Sequence, residues 1–60
     1  MTVLRLPDVL KTTGLSRSTT YAMIAQGEFP APIRLGRRAV GWIEDEVVGW
    51  LSLRIESRDN

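Results

Sequence analysis

The chain contains no cysteine and no histidine. Without thiolates or imidazoles it has no disulfides, no thiol nucleophile and none of the common zinc ligand sets. No calcium-loop spacing of acidic residues occurs, so no metal or cofactor is expected. The sequence also lacks an apolar run approaching the roughly 20 residues that span a bilayer. No basic segment followed by an apolar one and a small-residue cleavage site opens it, so the expected address is the cytoplasm, with no membrane partner. Nucleophile-base pairings, phosphate loops and metal constellations are likewise missing, which argues against an enzyme and against a small-molecule substrate.

What is present is one small unit. Sixty residues predict a single domain that buries only about 60% of the surface its unfolded chain exposes. The formal charge is only +1, but it is unevenly divided. Residues 1–43 hold six basic side chains against Asp8 and Glu28, a balance of +4; residues 44–60 hold Arg54 and Arg58 against five acids, a balance of −3. Seven of the eight basic residues are arginine, whose planar fork suits phosphates and guanine edges better than an ammonium. An ordinary solvated surface is the alternative reading of these charges.

Two helix boundaries meet in the segment Gly14-Leu15-Ser16. Gly14 can close one helix in a left-handed conformation and Ser16 can cap the next, which predicts two helices joined by a very tight bend, the helix-turn-helix arrangement. Helix one is expected over about 7–13, opened by Pro7 and Asp8, with Val9 and Leu10 inward and Leu15 folding back onto its last turn. Helix two is expected over about 17–26, ending at Gly27. Thr20, Met23, Ile24 and Gly27 fall on one stripe, which assigns that side to the core. The other side presents Arg17, Ser18, Tyr21, Ala22 and Ala25, and the small alanines permit close approach to a groove. For Tyr21 the alternative is a half-buried aromatic that props the domain.

Phe29-Pro30-Ala31-Pro32 cannot continue a helix, because two prolines in three residues force extended backbone. Ile33-Arg34-Leu35 and Val40-Gly41-Trp42-Ile43 flank Gly36-Arg37-Arg38-Ala39 and predict a β-hairpin over about 33–43, with Ile33, Leu35, Val40 and Trp42 inward. Arg37 and Arg38 then stand at the tip of a wing, within reach of phosphates or a minor groove; a solvated tip without a partner is the alternative. Glu44-Asp45-Glu46 predict the start of helix three, about 44–56, where the helix dipole favours negative charge. Val47, Trp50, Leu51 and Arg54 repeat at helical spacing, which makes Trp50 the expected anchor against helices one and two. Gly49 in mid-helix suggests a close crossing by another element.

The order and spacing of Leu4-Arg5-Leu6-Pro7, Thr13-Gly14-Leu15-Ser16-Arg17-Ser18-Thr19, Tyr21, Ile24-Ala25, Gly27, Phe29-Pro30, Arg34-Leu35-Gly36, Trp42, Glu46-Val47 and Trp50-Leu51 resemble the AlpA family of small prophage transcriptional regulators, over about residues 3–55. That family is related to phage excisionases and to the DNA-binding head of MerR-type regulators. The resemblance implies a mainly α winged helix-turn-helix of three helices and a two-stranded wing, and a role in regulating prophage or mobile-element genes. Carried over, Arg17, Ser18, Thr19 and Tyr21 belong to the recognition helix and Arg37 and Arg38 to the wing; with Ser16, Ala22 and Arg34 they complete the expected DNA-facing set. Two positions depart from the pattern: Thr20, where a branched apolar residue is usual, and Ala22, where arginine is frequent.

The expected partner is double-stranded DNA. One small module makes few contacts, so a homodimer or DNA-assisted homo-oligomer is expected, using the exposed sides of Val48, Leu53 and Ile55 or contacts promoted by DNA. An excisionase-type factor that steers recombination, and a protein-interaction module without DNA binding, are the alternatives.

Overall fold

The computed structural model describes residues 1–58. It contains, in chain order, β1 (Val3–Leu4), α1 (Leu6–Thr13), α2 (Arg17–Ala25), β2 (Ile33–Arg34), β3 (Val40–Ile43) and α3 (Glu44–Glu56). The architecture is mainly α with a small antiparallel sheet, and the helix limits fall within a residue of those read from the sequence.

Each helix end has a local cause. α1 takes Pro7 and Asp8 in its first turn, where a missing amide hydrogen costs nothing and a negative charge meets the positive end of the dipole. It ends at Gly14, whose φ of 75° is left-handed and whose N–H donates to the Leu10 carbonyl at 2.8 Å. α2 is capped by Ser16 and closes through Gly27, φ 74°. There the Gly27 N–H donates to the Ile24 carbonyl and the Glu28 N–H to the Met23 carbonyl at 2.8 Å, the paired bonds of a Schellman ending. Gly27 is exposed, so it terminates the helix and is not part of its core stripe.

The hairpin is not two-stranded. β1 pairs antiparallel with β3, giving the order β1-β3-β2 with β3 central. The expected wing therefore carries a third strand, supplied by the apolar lead before α1. The pairing also reaches α3: the Glu44 N–H, one of the amides a helix start leaves free, donates to the Thr2 carbonyl at 2.8 Å.

Register decides which residues of the wing are buried. Arg34 lies opposite Val40 and Ile33 opposite Gly41, while Leu4 lies opposite Trp42. Directly opposed residues share a sheet face, and alternate residues switch faces. Leu4, Arg34, Val40 and Trp42 thus lie on one face, and Val3, Ile33, Gly41 and Ile43 on the other. Ile33 and Leu35, expected inward with Val40 and Trp42, are instead on the outer face and exposed.

Val9, Phe29, Trp42 and Val47 form the buried core, with Leu4, Leu6, Leu15, Met23, Ile24, Val40 and Trp50 packed around it. Trp42, at 0% exposure, is the central aromatic, and its Nε1–H donates to the Pro30 carbonyl at 3.0 Å, so the connector is tied to the sheet. Trp50 was expected in this place. It is half-buried, packs edge-on to Phe29 with ring centroids 4.8 Å apart and donates to the Glu28 carbonyl at 2.8 Å, bracing the loop after α2. A Cβ added at Gly49 would meet nothing within 4 Å, so no element crosses there. The close crossing is at Gly41, where a Cβ would stand 2.5 Å from Val3 Cγ1 and 3.1 Å from the Leu4 carbonyl oxygen. Among the described residues no helix is long and apolar enough to cross a membrane.

Candidate nucleic-acid interface

Three hydroxyl side chains pin the turn between α1 and α2. Thr13 Oγ1 donates to the Val9 carbonyl at 2.8 Å and accepts from the Leu15 N–H at 3.3 Å, so it joins the last turn of α1 to the bend. Ser16 Oγ accepts from the Thr19 N–H at 3.1 Å and donates to Thr19 Oγ1 at 2.8 Å. Thr20 is fully buried, and its hydroxyl and N–H both donate to the Ser16 carbonyl, at 2.9 and 3.0 Å. The departure from an apolar residue at position 20 therefore leaves no unpaired polar atom, since the hydroxyl is satisfied inside its own helix.

Residues three and four apart share a helix face, so Arg17, Ser18, Tyr21, Ala22 and Ala25 form one stripe of α2. All five are exposed, and the opposite stripe, Thr20, Met23 and Ile24, is turned inward. Ser16 also lies at the surface, but its hydroxyl proton is engaged by Thr19, so its first task is capping. A hydroxyl carries one donor and two lone pairs; Thr19 receives the Ser16 proton and keeps its own for an outside acceptor.

Tyr21 is 39% exposed and its ring meets Trp42 edge-on, centroids 6.5 Å apart. The reading of a half-buried aromatic that props the domain fits this contact, and the rest of the side chain faces solvent. The contact also joins α2 to the sheet. Arg17 is one helical turn before Tyr21, about 6 Å along the axis, and Arg34 lies on the same sheet face as Trp42.

The tip of the wing is a loop of Gly36, Arg37 and Arg38, closed by Leu35 N–H and Gly36 N–H donating to the Ala39 carbonyl at 2.8 and 3.2 Å. None of the three has a positive φ, so the turn needs no left-handed residue. Arg34, Arg37 and Arg38 are exposed. Arg38 is four residues from Trp42 along the hairpin, at most about 13 Å. The sequence reading missed Thr13 as a bridge and Trp42 as the platform under Tyr21. The available signal for the first was a hydroxyl residue on each side of Gly14; the second depends on strand register.

Residues 2–55 match the family described as "Prophage CP4-57 regulatory protein (AlpA)". The chain belongs to the AlpA family. The chain is similar to a protein of Enterobacteria phage P4 described as "Uncharacterized protein ORF88", 47% identical over 55 residues that cover 92% of this chain and 62% of the phage protein. The "DNA-binding transcriptional activator AlpA" of Escherichia coli (strain K12) is 41% identical over 58 residues, covering 87% of this chain and 83% of that protein. The chain thus spans less than two thirds of the P4 relative and most of the E. coli AlpA protein.

Proposed function

We propose that this protein is a sequence-specific double-stranded DNA-binding regulator of prophage or mobile-element genes. The amino-terminal half of α2 enters the major groove, and the β2–β3 wing rests on the adjacent backbone or minor groove. The observation that carries this reading is the Tyr21–Trp42 contact, which joins the exposed stripe of α2 to β3, the strand that follows the arginine-bearing tip. The E. coli relative, named a DNA-binding transcriptional activator, supports it.

In this reading each side chain has a distinct task. Arg17 offers a bidentate fork to a guanine edge or phosphate. Ser18, Thr19 and Tyr21 offer hydroxyl protons to phosphate oxygens or base acceptors, and Ala22 leaves the backbone free to approach. Arg34, Arg37 and Arg38 neutralise phosphates along the flank, and Ser16 holds the amino-terminal end of α2 in place.

Fluorescence anisotropy with the DNA upstream of the protein's own operon tests the proposal. With roughly five to seven phosphates neutralised, affinity falls about as the fourth to sixth power of salt concentration. Arg17→Ala and Arg37→Ala each lower affinity and flatten that slope. Both variants binding as tightly as the parent, with the same slope, would show that the DNA lies elsewhere.

A further inference from the structure

α3 carries more apolar surface than the core uses. Leu53 is 66% exposed and borders an open groove of about 740 Å³ whose walls include Phe29, Pro32 and Ile33 from the connector and wing and Gly49 and Trp50 from the helix. The floor is firm: the Trp50 indole N–H is engaged by the Glu28 carbonyl, and its ring packs on Phe29. Gly49 leaves a hole in the wall, since nothing lies within 4 Å of where its Cβ would be. Glu46 lines this groove, and Arg54, stacked over the Trp50 ring at 4.9 Å, lines an adjoining hollow that shares Glu28, Trp50 and Leu53 with it.

We propose that this groove is the contact between two copies of the chain, with α3 of one packed antiparallel on α3 of the other about a two-fold axis level with Trp50 and Leu51. Two features favour a second copy as the occupant. The surface supplies both the apolar knob, Leu53, and the hole at Gly49 that receives it, as a self-complementary contact requires. Its charges are complementary under the same rotation: Glu46 and Arg54 are eight residues apart, about 12 Å along the helix, so an antiparallel partner sets each carboxylate against the other copy's guanidinium. A partner of one sign would meet a rim of mixed charge. Val48 and Ile55, also exposed, lie on the opposite flank of α3 and take no part. Combined with the proposed DNA reading, a two-fold pair binds inverted half-sites; that consequence rests on the DNA reading, whereas the association itself does not.

Sedimentation equilibrium of the full chain without DNA separates the outcomes. The parent self-associates, and Leu53→Asp weakens the association about thirty-fold, as removal of a central interface anchor does, while Val48→Asp leaves it unchanged. Glu46→Arg and Arg54→Glu each weaken it, and the two together restore it, which keeps the test valid even where Leu53→Asp disturbs folding. A parent that stays monomeric at every concentration, equal effects of Leu53→Asp and Val48→Asp, or a double charge swap that fails to restore association would each overturn the proposal.

Discussion

The two segments that carry the candidate DNA-facing residues are held in opposite ways. The turn before α2 is fixed by hydrogen bonds from Thr13, Leu15, Thr19 and Thr20 to groups no more than four residues away. The wing closes on itself locally through β2 and β3 but is anchored to the rest of the fold from a distance: β3 pairs with β1 through Val3↔Ile43 and Leu4↔Trp42, positions 40 and 38 apart in the chain. Local bonds form as soon as a helix forms, whereas a strand pairing must first close the intervening loop. The start of α2 is therefore set by its own neighbours in the chain, and the anchoring of the wing depends on the fold being complete.

The strongest way to break this contrast is at the crowded glycine. Gly41→Val places a branched side chain against Val3 and the Leu4 carbonyl and should cost about 1–3 kcal/mol by overpacking, measured by urea denaturation. A variant as stable as the parent would mean that β1 does not cover β3. In the turn, Gly14→Ala forces a Cβ into a left-handed conformation, φ 75°, at a cost of about 1–2 kcal/mol. Ser16→Ala removes the cap on α2 and should cost about 1 kcal/mol; no change in the melting midpoint would show that the Thr19 amide is served equally well by water. The smallest effect is expected at Gly36, in the wing tip. It has no positive φ and open space at its Cβ, so Gly36→Ala should shift stability by less than about 0.5 kcal/mol. A large loss there would mean that the tip is held as tightly as the turn.

Most of the helical framework was legible in the chain because its determinants are local. Gly14, Ser16, Gly27 and the Glu44-Asp45-Glu46 cluster each act within one helical turn, and the structure has helix ends at those positions. The exposed stripe of α2 was legible for the same reason, since the 3.6-residue period assigns a face without reference to any other element. The phase of β2 was not. Alternation shows that Ile33 and Leu35 share a face, but not whether it is the face of Trp42. Which tryptophan sits at the centre was equally hidden, because both Trp42 and Trp50 stand on apolar stripes.

The amino-acid sequence by itself determined where the three helices begin and end and which side of α2 is free, since hydrogen bonds and capping groups a few residues apart settle those points. The tertiary structure alone decided that β1 joins the sheet, that Arg34 shares a face with Trp42 while Ile33 and Leu35 do not, and that Gly41 is the crowded glycine and Gly49 the open one. The place of β1 and the crowding at Gly41 follow from a pairing between strands about forty residues apart, and the face of Arg34 from the phase of the β2–β3 hairpin, where a shift of one residue exchanges every side chain between the two faces.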